Sequence, residues 1–200
     1  MLPRAVSLPF VHLYRQLLRV KTKAFSVMAS GAFAEFGEKS ILVPPIRLAG
    51  ESRIAIGDQV CIGSRSWIQT LPSCPAHVGL RIGNGTGISG SCVISAACNI
   101  TIEDNVVIAS NVCIVDHLHC YADPNRPISL QGIEKIAPIL IRQNSWIGEN
   151  VVILPGVTIG RNSVIGANSV VNRSIPDYSV AAGAPAIVVK RLIDGRFVRA

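Results

Sequence analysis

Two histidines two positions apart, His117 and His119, open the segment HLHCYADPNRPISLQG, and Asp116 and Asp123 stand close to them along the chain. Imidazole titrates near neutrality, so it serves as a general base or acid at ordinary pH. A nearby carboxylate can hold its tautomer or bind a substrate hydroxyl, and the sequence leaves both the histidine and the carboxylate open. Paired histidines also suit zinc, which needs three or four ligands. The other two, His12 and His77, lie in an N-terminal helical stretch and in the Pro-rich stretch TLPSCPAHVG. No third histidine stands near the pair, so no metal site is expected. The six cysteines form no CxxC pair. They read as reduced, buried small hydrophobes of a cytosolic protein.

Lys and Arg total 19 against 12 Asp and Glu, a net charge of +7. The cations gather at the ends: Arg4, Arg15, Arg19, Lys21, Lys23 and Lys39, then Lys190, Arg191, Arg196 and Arg199. A nucleic-acid binder interleaves such charge with aromatics or carries a recognisable motif. Aromatics are only 5% of this chain and no such motif occurs, so nucleic acid is not an expected partner. An anionic small molecule and the cytoplasmic face of a membrane remain.

The histidines must be positioned by a scaffold, and the scaffold is a six-residue repeat. An aliphatic recurs at Ile56, Ile62, Ile68; at Ile82, Ile88, Ile94; at Ile102, Ile108, Ile114; and at Ile141, Ile147, Ile153, Ile159, Ile165, Val171. Four residues after each aliphatic comes a small or β-branched residue, such as Val60, Thr86, Cys92, Cys98, Val106, Ser145 or Ser163. Gly or Ala often follows the aliphatic directly, as at Gly57, Gly83, Ala109, Gly148 and Gly160. Neither a helical nor a simple strand period explains this pattern. Period six suits a short strand, a tight turn and the next strand, three units closing one triangular coil. Coils then stack about 4.8 Å apart, with identical positions in ladders. Each buried Ile contributes roughly 1.5–3 kcal/mol, which accounts for a chain that is 49% hydrophobic with few aromatics and no membrane span.

The period breaks between Ile68 and Ile82, between Ile94 and Ile102, and most of all between Ile114 and Ile141. A long loop on a rigid scaffold is a place for function, and the last gap holds the histidine pair. Three units result: residues 1–50 as a helical capping segment, 51–180 as the coil with a loop at 116–138, and 181–200 as a C-terminal cap. Within 10–28, Phe10, Leu13, Tyr14, Leu17 and Leu18 form one helical stripe. Two readings stand: a helix packed on the first coil, or an interfacial anchor on anionic lipid.

The hexads, the looped-out histidines and the terminal SVAAGAPAIVVK resemble the hexapeptide-repeat acyltransferases over roughly residues 50–192. SWIGENVVILPGVTIGRNSVIGANSVV is specific for that superfamily, and DHLHCYADPNRPISLQG looks like the galactoside and maltose acetyltransferases and the O-acetyltransferases of surface-polysaccharide synthesis. The resemblance implies an all-β, left-handed parallel β-helix, an exception to right-handed crossovers. It implies acetyl-CoA as co-substrate and a homotrimer with sites between subunits. It makes His117 the base that deprotonates a sugar hydroxyl, with His119 in reserve; Asp116 is a candidate orienter of the ring, and the choice between it and Asp123 stays open. It assigns Trp146, Gly148, Ala167, Asn172, Arg173 and Lys190 to coenzyme A, with Ile187 where a second cation is common. Asn84, Tyr121 and Asp123 fall to the acceptor. The implied location is the cytoplasm, at the inner face of the membrane if residues 10–28 touch lipid. Rival readings are serine or antibiotic acetyl transfer, or a non-catalytic β-helical subunit. Serine acetyltransferases usually carry a longer helical N-terminal domain, and a retained His117 argues against lost activity.

Overall fold

The computed structural model describes the backbone of residues 4–200 and the side chains of residues 7–200. One long helix, α1 (Arg4–Ser30), precedes a succession of strands, of two to four residues each up to β20. The first coil is β1 (Glu35–Phe36), β2 (Ile41–Leu42) and β3 (Arg47–Ala49); the second is β4 (Ile54–Ile56), β5 (Cys61–Ile62) and β6 (Trp67–Thr70). Next come β7 (Leu80–Ile82), β8 (Gly87–Ile88) and β9 (Val93–Ala96), then β10 (Ile100–Ile102), β11 (Val107–Ile108) and β12 (Cys113–Val115). After a short antiparallel pair, β13 (Leu118–His119) and β14 (Ile133–Glu134), the coil resumes. It continues as β15 (Ile139–Ile141), β16 (Trp146–Ile147) and β17 (Val152–Ile153), and then as β18 (Thr158–Ile159), β19 (Val164–Ile165) and β20 (Val170–Val171).

Every third strand joins the same sheet. Sheet I runs β1-β4-β7-β10-β15-β18, sheet II contains β2-β5-β8-β11-β16-β19, and sheet III contains β3-β6-β9-β12-β17-β20. All these pairings are parallel, so the chain winds as a three-sided β-coil. The aliphatic positions are in register: Ile56 opposes Ile82, Ile82 opposes Ile102, and Ile102 opposes Ile141. The small residues four positions on form a second inward column, for Val60, Thr86, Cys92, Val106, Ser145 and Ser163 are all buried. The residue just before each, three after the aliphatic, takes a left-handed backbone. Asn105, Asn144 and Asn162 do so between sheets I and II, and Asn111, Asn150 and Asn168 between sheets II and III. Asn tolerates that conformation better than most side chains, so it marks the corners. The Gly after the aliphatic has a different reason: a Cβ on Gly148 would lie 2.7 Å from the Ala167 backbone nitrogen of the next coil.

Four expectations change. The coil begins at Glu35, not at residue 51, because Phe36, Leu42 and Leu48 continue the period with other apolar residues and oppose Ile56, Ile62 and Ile68. The stripe on α1 does not pack on the first coil: Phe10, Leu13, Tyr14 and Leu17 are exposed. Only the last turns reach it, where Phe25 and Ala29 meet the core and the buried Ser26 hydroxyl accepts the Leu42 N–H at 2.9 Å. The 27-residue helix is about 40 Å long, twice the roughly 20 Å that one six-residue side of the coil spans. Cys61 is exposed, because it occupies an outward position of β5. Cys98 leaves the small-residue column and is half-buried, because the chain is lengthened at that corner. At the C-terminus, β21 (Ser179–Gly183) lies parallel to β19, and β22 (Ala186–Ile193) and β23 (Arg196–Arg199) extend sheet II antiparallel.

Candidate active site

Every insertion into the period falls at one corner, where sheet III passes into sheet I. The gaps run from Leu48 to Ile56, Ile68 to Ile82, Ile94 to Ile102, and Ile114 to Ile141. The third lengthens the turn after β9 so that three successive N–H groups point to one place. Ala97 and Cys98 donate to the Asp116 carboxylate at 2.7 Å each, and Asn99 donates to it at 2.9 Å. Asp116 is fully buried. Its charge is met by a nest of backbone dipoles. Burial, and then the Asp116 charge, push the neighbouring Cys98 thiol upward.

The Asp116 Oδ1 also lies 3.0 Å from His117 Nδ1. Where the carboxylate is the acceptor, this contact is made by the Nδ1–H tautomer of the imidazole, which leaves Nε2 free to accept. The His117 side chain is one-tenth exposed. His119 follows in β13 and is exposed. The Asp116 carbonyl accepts the Ala137 N–H at 2.9 Å and the Gly132 carbonyl accepts the Cys120 N–H at 3.1 Å, which closes the base of the loop. Beyond that base, residues 121–130 are exposed. Gln131 staples them, its amide donating to the carbonyls of Asp123 and Arg126 at 2.9 and 2.7 Å. Asp123 is used in the turn, its Oδ1 accepting the Asn125 N–H at 2.9 Å. Tyr121 is exposed on the same excursion.

Asn172 joins this edge. It lines an open groove with Leu118, Lys135, Ala137, Leu154 and Pro155. Arg173 follows it, exposed. The other residues expected at coenzyme A lie elsewhere on the same chain. Trp146 projects from sheet II in an outward row that runs Val107, Trp146, Val164, Val180, Lys190, Arg199 in strand register. Val107 and Trp146 are each more than half exposed. Gly148 and Ala167 stack at the corner between sheets II and III. Asn84 is in a third place: its Oδ1 accepts the Asp58 N–H at 2.8 Å while its N–H donates to Asp104 Oδ1 at 2.7 Å, a ladder at the corner of sheets I and II. The nest at 97–99, the Gln131 staple and the groove wall at Leu154 and Pro155 were not foreseen. The eight-residue step from Ile94 to Ile102 was the visible signal for the first. Among the described residues, no three His, Cys, Asp or Glu side chains cluster to hold a metal.

Residues 138–173 match the family model for the bacterial transferase hexapeptide (six repeats). A hexapeptide-repeat-containing acetyltransferase of Vibrio cholerae, solved with acetyl coenzyme A, is 31% identical, with 84% of this chain and 76% of that one superposed at a TM-score of 0.61. The chain belongs to the hexapeptide-repeat acetyltransferases. A galactoside acetyltransferase solved with coenzyme A is another such relative, 34% identical over 81% of this chain and 66% of that one, TM-score 0.58. A protein of Mycobacterium tuberculosis named as a probable acetyltransferase is 36% identical over 169 residues, 84% of this chain. That stretch is 46% of the mycobacterial protein, so the chain spans about half the length of this relative.

Proposed function

We propose that the protein is an acetyl-CoA-dependent O-acetyltransferase of a sugar hydroxyl, built on a left-handed parallel β-helix and acting in surface-polysaccharide biosynthesis in the cytoplasm. The observation that carries this reading is the pair His117–Asp116, an imidazole whose Nδ1 meets, at 3.0 Å, a buried carboxylate held by three backbone N–H groups. Acetyl-CoA supplies the acetyl group as an activated thioester. His117 Nε2 takes the hydroxyl proton as that oxygen attacks the thioester carbonyl, and returns the proton to the departing thiolate. Asp116 stays ionised, holds the ring and stabilises the imidazolium formed in between. His119, exposed, is the reserve base.

The outward row of sheet II fits the donor. Val107, Trp146, Val164 and Val180 offer an apolar strip for a long arm, and Lys190 and Arg199 offer cations for phosphates at its end. Gly148 and Ala167 flank the strip, and Asn172 and Arg173 belong to the edge that carries His117. One chain does not line both walls, which supports a homotrimer with each site between two copies. The outward row of sheet III, after Arg47, is also apolar at Trp67, Val93, Cys113 and Val152, whereas that of sheet I mixes Ala55 and Leu140 with Glu35, Arg81, Thr101 and Thr158. Tyr121, Asp123 and, from another coil corner, Asn84 would meet the acceptor. Six free thiols suit a reducing compartment.

The test is thiol release from acetyl-CoA against nucleotide-linked sugars, lipid-linked oligosaccharides, serine and chloramphenicol. Activity confined to serine or the antibiotic overturns the acceptor class. His117→Ala is expected to lose about a hundredfold or more; turnover at the wild-type rate overturns the base.

A further inference from the structure

The helix α1 presents an apolar face that the coil leaves uncovered. Phe10, Leu13, Leu17, Val20 and Met28 recur at helical spacing and are 71%, 58%, 60%, 67% and 78% exposed. They lie on the side away from Phe25, Ser26 and Ala29, the residues that meet the first coil. The sequence before Glu35 carries Arg4, Arg15, Arg19, Lys21 and Lys23 and no Asp or Glu. At 3.6 residues per turn, Arg15 and Arg19 fall opposite the apolar face, with Lys21 and Lys23 at its two margins. An apolar cleft of about 780 Å³ between α1 and the first coil likewise has only cations, Arg19, Lys23 and Lys39, as its charged residues.

We propose that α1 docks the protein on an anionic lipid bilayer, lying in the headgroup region with Phe10, Leu13, Leu17, Val20 and Met28 inserted. The charge decides this occupant. A broad apolar face on a helix whose charged residues are all basic complements a surface of phosphates. Long Arg and Lys stems reach back from the far side to the headgroups. No helix among the described residues is long and apolar enough to cross a membrane, so α1 lies on the surface. A second copy of the chain is the competing occupant, because positions 10, 13, 17, 20, 24 and 27 also make a heptad seam. Its flanks would be Tyr14, Gln16, Lys21, Lys23 and Met28. Two such helices set cation against cation with no acid to pair, which opposes self-association.

The experiment is flotation of the full-length protein with phosphatidylcholine vesicles and with mixed phosphatidylcholine–phosphatidylglycerol vesicles. It needs no acceptor or acetyl-CoA, so it stands or falls apart from the proposed chemistry. The wild type is expected to float with the mixed vesicles only, and to be released by high salt. Leu13→Asp with Leu17→Asp abolishes flotation, and Arg15→Glu with Arg19→Glu weakens it by at least about tenfold. These side chains are exposed, so unchanged circular dichroism and melting are expected of both variants. A wild type that stays unbound, or a Leu13→Asp, Leu17→Asp variant that floats normally, overturns the proposal. So does a fall in oligomer mass of that variant by light scattering without any flotation, which would assign the face to a second copy.

Discussion

Two corners of the coil keep the six-residue spacing, and the third does not. Between sheets I and II, and between sheets II and III, the residue three after the aliphatic is left-handed, as at Gln59, Arg65, Ser91 and Asn105, except at the Pro44–Pro45 corner of the first coil. Between sheets III and I the chain inserts residues at four successive levels, and there Asp116 and His117 sit. A regular corner satisfies its backbone through the neighbouring coil and leaves nothing over. A lengthened corner frees N–H groups, and at 97–99 three of them converge on one carboxylate. Regularity makes the scaffold, and its local failure makes the candidate site.

The sharpest way to break this contrast is at Asp116. Asp116→Asn keeps the shape but removes the charge that fixes His117, and turnover is expected to fall about a hundredfold or more. Wild-type turnover and a wild-type pH–rate profile in the Asp116→Asn variant would sever the nest from the chemistry. At a regular level, Ile62→Ala removes a fully buried side chain. It should cost about 2–5 kcal/mol of stability by urea unfolding, with turnover per folded molecule retained. Smaller still is Asn162, whose φ is 50°. Asn162→Ala is expected to lose about 1 kcal/mol and Asn162→Gly less, because glycine accepts a left-handed backbone. Equal losses for both would show that the corner is held by the side chain instead of by its backbone conformation.

Much of the scaffold was legible because its contacts repeat. Ile82, Ile102 and Ile141 sit in one ladder since each coil stacks on the last at the same phase. The first coil escaped notice because Phe36, Leu42 and Leu48 keep the period without the isoleucines that announced it elsewhere. The histidine loop was legible as an interruption. Its internal order was not, because Gln131 acts on backbone carbonyls eight and five residues away, which no residue pattern declares.

By itself, the sequence determined the inward columns, the three-sided coil and the gap that holds His117 and His119. These follow from side-chain size and period, properties each hexad carries locally. Only the tertiary structure decided that Asp116, and not Asp123, meets His117. The partners of that carboxylate come from a turn 17 to 19 positions earlier in the chain, brought beside it by one winding of the coil. Tertiary structure also decided that the stripe of α1 faces outward. An amphipathic pattern states that a face will be covered, and the geometry of a helix longer than the side it meets settles that the coil does not cover it.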